Sequence, residues 1–269
     1  YWDHPQGGWN IFTASFKNKS MVATLAEKGL IIDFAFRAPE GIPWETTEWH
    51  TCNPNVYRLE GPMTMALYGA LQDWDASFEF SMSTITPYLL AKNMFELEDP
   101  CIMLQYPMAH LAFVRGYIRP GEIVYRRVID PKTDLWDCAR DTSLPNTKLA
   151  LIGRCVNYYG TDKPPVLVDV SMYEDPFAGI IKSTTGELWW RKNPATILVR
   201  APKMQGVVGF VDGNEDNLGA IKLKIDKNFV SVFVASVDGK SLNKSKNMFM
   251  HAISQTKNFN MSDPKAISS

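Results

Sequence analysis

The chain lacks any apolar run approaching the roughly 18 residues that span a bilayer, so no membrane partner is expected. It has no surplus of positive charge either. With 28 Lys+Arg against 29 Asp+Glu the net charge is −1, and such a field draws in neither nucleic acid nor anionic lipid. Cysteine is scarce: Cys52, Cys101, Cys138 and Cys155 are widely spaced and form no C-x-x-C pair, which removes zinc from the expectations. Their number is even, yet a chain of this size does not need staples, and pairing is left open. No repeat or low-complexity tract is present. Tyr1-Trp2-Asp3-His4-Pro5 has neither the basic nor the apolar stretch of a signal peptide. Asp212 to Gly219 imitates the start of a calcium loop, but Asn217 stands where a glycine is needed and Leu223 where a bidentate glutamate is needed. It reads as a solvated hairpin, and no metal or cofactor is expected.

What is present suffices for a large core. Hydrophobic residues make up 45% of 269 positions, enough for one large domain or two of ordinary size. The 8 Trp and 10 Tyr supply flat faces that stack on sugar rings when they are not simply core.

One stretch organises the rest. Ile42 to His50 is rich in β-branched and aromatic residues and predicts a strand, which the polar segment Thr51-Cys52-Asn53-Pro54-Asn55 ends. From Glu60 to Leu71, Met63, Ala66, Leu67, Ala70 and Leu71 fall on one helical face, with Pro62 tolerated in the first turn. Asp73 to Phe80 alternates like another strand. Strand, crossover helix, strand is a βαβ unit, and it carries Glu48 near the C-terminal end of its first strand. In parallel barrels that end faces the active site.

Glu48-Trp49-His50, Asn53-Pro54-Asn55, the helix containing Glu60-Gly61-Pro62 and Ala66 to Leu71, and Gln72-Asp73-Trp74-Asp75 together resemble the seventh strand, seventh helix and eighth strand of clan A retaining glycoside hydrolases. Those are TIM barrels in which the glutamate ending strand seven is the nucleophile. The resemblance implies a partial (β/α)8 barrel at residues 1–121, with Glu48 as nucleophile. It implies a carbohydrate substrate, no cofactor, and an extracellular or periplasmic location. Where this chain has Trp49, His50, Thr51 and Cys52, the family carries a different pattern, which bears on the substrate more than on the nucleophile. Trp2 and His4 follow the family's strand six and would line the cleft; a terminus with accidental aromatics is the plain alternative. His50 and Asn53 would hydrogen-bond sugar hydroxyls, Trp49 and Trp74 would stack, and Asp75 would reach a hydroxyl from strand eight. Each has a structural competitor: a satisfied histidine, core tryptophans, a buried carboxylate.

Before the organising stretch, residues 11–41 read as a decorated connection. After it, Ser81 to Glu98 reads as a loop over the cleft. Asp99-Pro100 then supplies a helix N-cap and first-turn proline, Pro107 predicts a kink, and Gly116 an end. Arg119-Pro120-Gly121 marks the boundary. Beyond it the period changes to two. Ile123 to Val128, Val166 to Val170, Ala195 to Arg200, Val207 to Val211, Ala220 to Ile225 and Val230 to Val237 predict an antiparallel β-sandwich at 122–269. Asp238-Gly239 predicts a tight hairpin. Trp189-Trp190 reads as inter-domain packing ahead of a sugar patch.

A complete barrel takes about 250 residues, so only its last two strands are expected here. The general acid then belongs to an N-terminal barrel portion outside this segment. A retaining enzyme needs two carboxyl groups about 5–5.5 Å apart, and Glu45, three residues before Glu48, is expected on the opposite strand face. The rival reading is a carbohydrate-binding or structural module, and a third is a barrel that has lost its activity.

Overall fold

The structure, a computed structural model, describes residues 2–3, 15–53, 55–80, 95, 99–134, 143–226 and 228–255. His4, Cys138, the segment from Phe259 onward and, apart from Phe95, Ser81 to Glu98 lie outside the described residues. The protein is mixed α/β with little helix, and its sheets are mostly antiparallel.

The first half opens with β1 (Trp2–Asp3) paired antiparallel with β2 (Ser15–Phe16). Helix α1 (Leu30–Arg37) buries Ile31, Ile32 and Ala35. Then come β3 (Glu45–Trp49), α2 (Glu60–Gln72) and β4 (Ala76–Glu79), with β3 and β4 parallel. The expected strand–helix–strand unit is therefore present. The helix differs from the one-sided face that its spacing suggests. Every residue of α2 is buried, as in a helix at the centre of a large core, because it packs against helix, parallel strand and antiparallel sheet together.

Asp73 takes a left-handed conformation, φ 63°, as the C-cap of α2, so the second strand begins at Ala76 and not at Asp73. After it come α3 (Pro100–Met103) and α4 (Tyr106–Phe113). Asp99 caps α3 by accepting from the Cys101 amide at 3.0 Å. Pro107 does not kink a continuous helix; it stands in the first turn of α4, where its missing N–H costs nothing.

The second half contains one departure from period two. Strand β5 (Ile123–Ile129) lies parallel to β6 (Arg154–Tyr159), which the short helix α5 (Leu149–Ile152) precedes. Residues 38–40 extend this sheet: Asn157 donates from its amide to Ala38 O and accepts from the Glu40 amide, both at 2.8 Å. On the other side of β5 lies β7 (Val166–Leu167), antiparallel.

The remaining strands are β8 (Glu174–Asp175), β9 (Ile180–Lys182), β10 (Leu188–Arg191), β11 (Thr196–Ala201), β12 (Met204–Val211), β13 (Glu215–Asn217), β14 (Lys222–Lys224), β15 (Asn228–Ser236) and β16 (Met248–Ile253). Seven of them form one antiparallel sheet in the order β16-β15-β12-β11-β10-β9-β8. The β13–β14 hairpin adds Leu218 and Leu223 to a smaller apolar cluster with Leu198, Val207, Val230 and Val232. This two-layered packing is consistent with the sandwich part of the expectation. Gly209 lets β12 pass close to its neighbour. Its φ is +124°, and a Cβ there would meet Ala195 O at 2.5 Å.

The Asp-Gly turn is wider than predicted. Strand β15 ends at Ser236 and β16 starts only at Met248. The Asp238 carboxylate organises the connection by accepting from Ser236 Oγ at 2.9 Å, Ser245 Oγ at 2.8 Å and the Lys246 amide at 3.2 Å. Those bonds, led by the one from Ser245, hold its carboxyl well below the usual range.

One apolar core runs through both halves, with Met63, Leu67 and Tyr68 of α2 in the same cluster as Phe233 and Ala235 of β15. Trp190 is part of it, and its Nε1 donates to Val22 O at 2.9 Å. Trp189, on the other face of β10, lies between Lys182 and Arg200, whose cationic groups stand 4.6 and 4.3 Å from its ring centroid.

Candidate functional site

The parallel pair sets the geometry around Glu48. Thr46 aligns with Ser77 and Trp49 with Glu79, with a register shift between them, so Thr47 and Glu48 together stand opposite Phe78. This is a β-bulge. It explains why Thr46 and Trp49, an odd number of residues apart, are both buried, 2% and 7% exposed. The buried side is stitched by Ser77 Oγ, which accepts from Thr46 Oγ1 and from Trp49 Nε1, each at 2.9 Å. By the same shift Glu45 and Glu48 are both exposed, and simple alternation, which would put them on opposite faces, does not hold across the bulge. Phe78 and Phe80 are 53% and 41% exposed. Glu48 and Phe78 thus occupy the side of the pair turned away from the core, and α2 packs on the other.

Behind the strand ends, toward α4, lies a buried polar cluster. The side chains of His50 and Glu79 are 4% and 2% exposed, with His50 Nδ1 3.1 Å from Glu79 Oε1. The Tyr106 hydroxyl donates to Glu79 Oε2. Burial, reinforced by the Glu79 charge, pushes the Tyr106 hydroxyl upward. Phe95 leans over the imidazole, with ring centroids 6.2 Å apart, and His50 Nε2 is buried with no hydrogen-bond partner. Cys52, a free and half-buried thiol, follows two residues later, and burial raises its pKa.

The loop from 51 to 59 is held by groups whose importance spacing does not reveal. Arg58 Nη2 is 2.6 Å from Asp99 Oδ2, with both side chains about nine-tenths buried. Gln105 Nε2 donates to Leu59 O and Cys101 O at 2.6 and 2.5 Å. Glu60, at the start of α2, accepts from Ser20 Oγ at 2.6 Å, the Met21 amide at 2.5 Å and the Val22 amide at 3.0 Å. Burial pushes its carboxyl up to about 7. Gly61 is required beside this loop, because a Cβ there would come within 2.5 Å of Thr51 Oγ1.

The structure gathers only some of the residues singled out in the sequence. Glu48, Trp49, His50 and Asn53 lie together at the C-terminal end of β3. The Trp49 ring is packed in the core, and the Asn53 side-chain nitrogen is buried without a partner. Trp74 and Asp75 lie at the opposite end of the pair. Asp75 Oδ2 accepts from the Trp44 amide at 2.8 Å, while Trp74 is 5% exposed with Phe34 edge-on to it. Both line a cleft of about 310 Å³ shared with Trp44, Asp73 and Arg154. Trp2 is placed only by its backbone, as the partner of Phe16, and His4 is outside the described residues.

Glu79 and Tyr106 were not singled out by the sequence. The signal for Glu79 was there, since Ser77 and Glu79 continue the alternation on the buried side of β4. Nothing local marks Tyr106, which reaches Glu79 from 27 positions away.

No protein-family model matches the chain, and neither a curated protein nor a solved structure matches it. No described helix is long and apolar enough to cross a membrane.

Proposed function

We propose that this chain carries the C-terminal part of a retaining glycoside hydrolase acting on β-linked polysaccharide or oligosaccharide, with Glu48 as the nucleophile. The observation that supports this reading most is the position of Glu48. It is an exposed carboxylate near the C-terminal end of a strand that runs parallel to the next through a buried helix, on the side away from that helix. In a barrel that side is the inner one.

A second feature points the same way. Among the described residues β3 and β4 pair only with each other, so neither outer edge has a described strand partner beside the exposed Phe78 and Phe80. Open edges with apolar side chains are normally covered, and strands of an N-terminal barrel portion are the partner that fits. The general acid belongs to that portion.

In the reaction the Glu48 carboxylate attacks the anomeric carbon as the bond to the leaving oxygen breaks, and the acid protonates that oxygen. Water, deprotonated by the same acid now acting as base, then cleaves the glycosyl ester and frees Glu48. Incubating the full-length protein with 2-fluoro glycosides and mapping the adduct by mass spectrometry tests the reading. A label on Glu48 is expected, and Glu48→Gln should lower kcat at least about a thousandfold with no change in Tm, since the side chain is exposed. Sugar binding without label or turnover would favour a carbohydrate-binding module instead.

A further inference from the structure

We propose that Glu79 is a positioning residue: anchored by the Tyr106 hydroxyl, it grips His50 through Nδ1 and so fixes the rim of β3 that carries Glu48. For its kinetic consequence the proposal rests on the hydrolase reading; its structural half stands apart.

An ionised carboxylate only accepts hydrogen bonds. Glu79 Oε2 receives the Tyr106 hydroxyl, and Oε1 lies 3.1 Å from His50 Nδ1, so the imidazole proton belongs on Nδ1. With Nε2 buried and unpartnered, Glu79 supplies the hydrogen bond that orients the ring, and Phe95 packs beside it. The residue next to His50, Trp49, is tied on the same side by its Nε1 bond to Ser77 Oγ at 2.9 Å, and the Phe80 amide donates to Trp49 O at 2.9 Å. Two consecutive side chains immediately after Glu48 are therefore held from behind.

A bulged strand has lost one ladder contact at the bulge, so the direction of Glu48 depends on what holds the residues that follow. In-line attack on an anomeric carbon tolerates little misplacement, and an error near 1 Å can cost about a hundredfold. Glu79 does not touch the sugar; it acts through His50.

Two measurements on the full-length protein decide the matter. Long-range proton–nitrogen NMR correlations read the tautomer of each histidine, and with 4 His in the chain the His50 signals are assigned by their loss in His50→Gln. The wild type should show a single tautomer protonated on Nδ1, and Glu79→Ala should replace it with a mixture. With 2,4-dinitrophenyl β-glycosides of glucose, galactose, mannose and xylose as probes, Glu79→Ala should lower kcat by about ten- to hundredfold. KM should stay within about threefold, and Glu79→Gln, which keeps an oxygen for Nδ1, should restore most of the rate.

An Nε2-protonated ring in the wild type overturns the proposal. So does an unchanged tautomer in Glu79→Ala, or a loss confined to KM. If Glu79→Ala does not fold, Tyr106→Phe takes its place, with the Nδ1 tautomer kept and kcat reduced about two- to fivefold; an unchanged kcat there overturns the anchoring role. If a 2-fluoro glycoside fails to label wild-type Glu48, the hydrolase reading falls, while the tautomer result still decides whether Glu79 fixes His50.

Discussion

Around the N-terminal end of α2 the buried fasteners are polar: Glu60 on Ser20 and the Met21 and Val22 amides, Arg58 on Asp99, Gln105 on Leu59 and Cys101. In the seven-stranded sheet they are mostly apolar, with Ile197, Val199, Val207, Val208 and Phe233 all fully buried between backbone ladders, beside one buried polar pair, Ser231 Oγ and His251 Nε2 at 3.1 Å. The two regions share one core, yet different perturbations should break them. A carboxylate or guanidinium inside a protein is stabilising only while its partners are in place. A packed valine depends on volume and not on pH. The region that holds Glu48 is therefore the one whose shape depends on specific pairs, and the sheet is the stable ground on which it rests.

Breaking a polar fastener should produce the largest effect. Arg58→Met removes the charge opposite Asp99 but leaves that carboxylate buried, beyond reach of the water that would otherwise solvate it. Losing one member of such a pair costs about 3–5 kcal/mol, which chemical denaturation will read as a lowered midpoint with the slope unchanged. A loss below about 1 kcal/mol would mean that the polar fasteners are replaceable and that the contrast between the regions is only one of composition.

Glu60 sharpens the same contrast through pH. Its carboxyl is raised from 4.5 to about 7 by burial, so between those values the folded chain holds a proton that the unfolded chain has released. The contribution is fully present below about pH 4.5 and declines as pH rises. It is lost once pH passes about 7, and the whole change is about 3 kcal/mol. Glu60→Gln should remove that slope from the stability profile. An identical slope in wild type and Glu60→Gln would show that the carboxyl does not titrate in this window.

Much of this division was legible in the sequence. The βαβ unit is visible because apolar spacing in α2 and β-branched runs on either side are local signals. The β12 and β15 strands were legible for the same reason, since a buried strand keeps its pattern whatever its partner. The bulge at Thr47 and Glu48 was not legible. It depends on the register between two strands, and no residue within β3 announces it, so Glu45 and Glu48 share the exposed side although strict alternation would separate them. The left-handed turn at Asp73, which delays the second strand to Ala76, required knowing where α2 stops, and Trp74 and Asp75 lie away from the Glu48 end because the two strands run parallel. The parallel pairing of β5 with β6 escaped because α5 is a single turn, too short for periodicity to register. The polar fasteners were the least visible, because Arg58–Asp99 and Glu79–Tyr106 join positions about 41 and 27 apart and no spacing rule links them.

The smallest effect belongs to the sheet. Ile197 on β11 is fully buried and aligned with Val208 of β12. Ile197→Val deletes one methylene and leaves the β-branched shape, the strand propensity and every ladder bond intact. The expected cost is about 0.5–1.5 kcal/mol, from lost transfer free energy and a small cavity. Because the substitution touches no titratable group, that cost should be the same at pH 5 and pH 8, even though Glu60 in one region and His251 in the other, its pKa lowered to about 4 by burial, make the stability of the wild type itself differ between those values. A pH-dependent penalty for Ile197→Val that disappears in the Glu60→Gln background would show that the sheet feels the ionisation of Glu60 through α2, and the two regions would then have to be treated as one coupled unit; a penalty that persists there would point to His251 of the sheet itself.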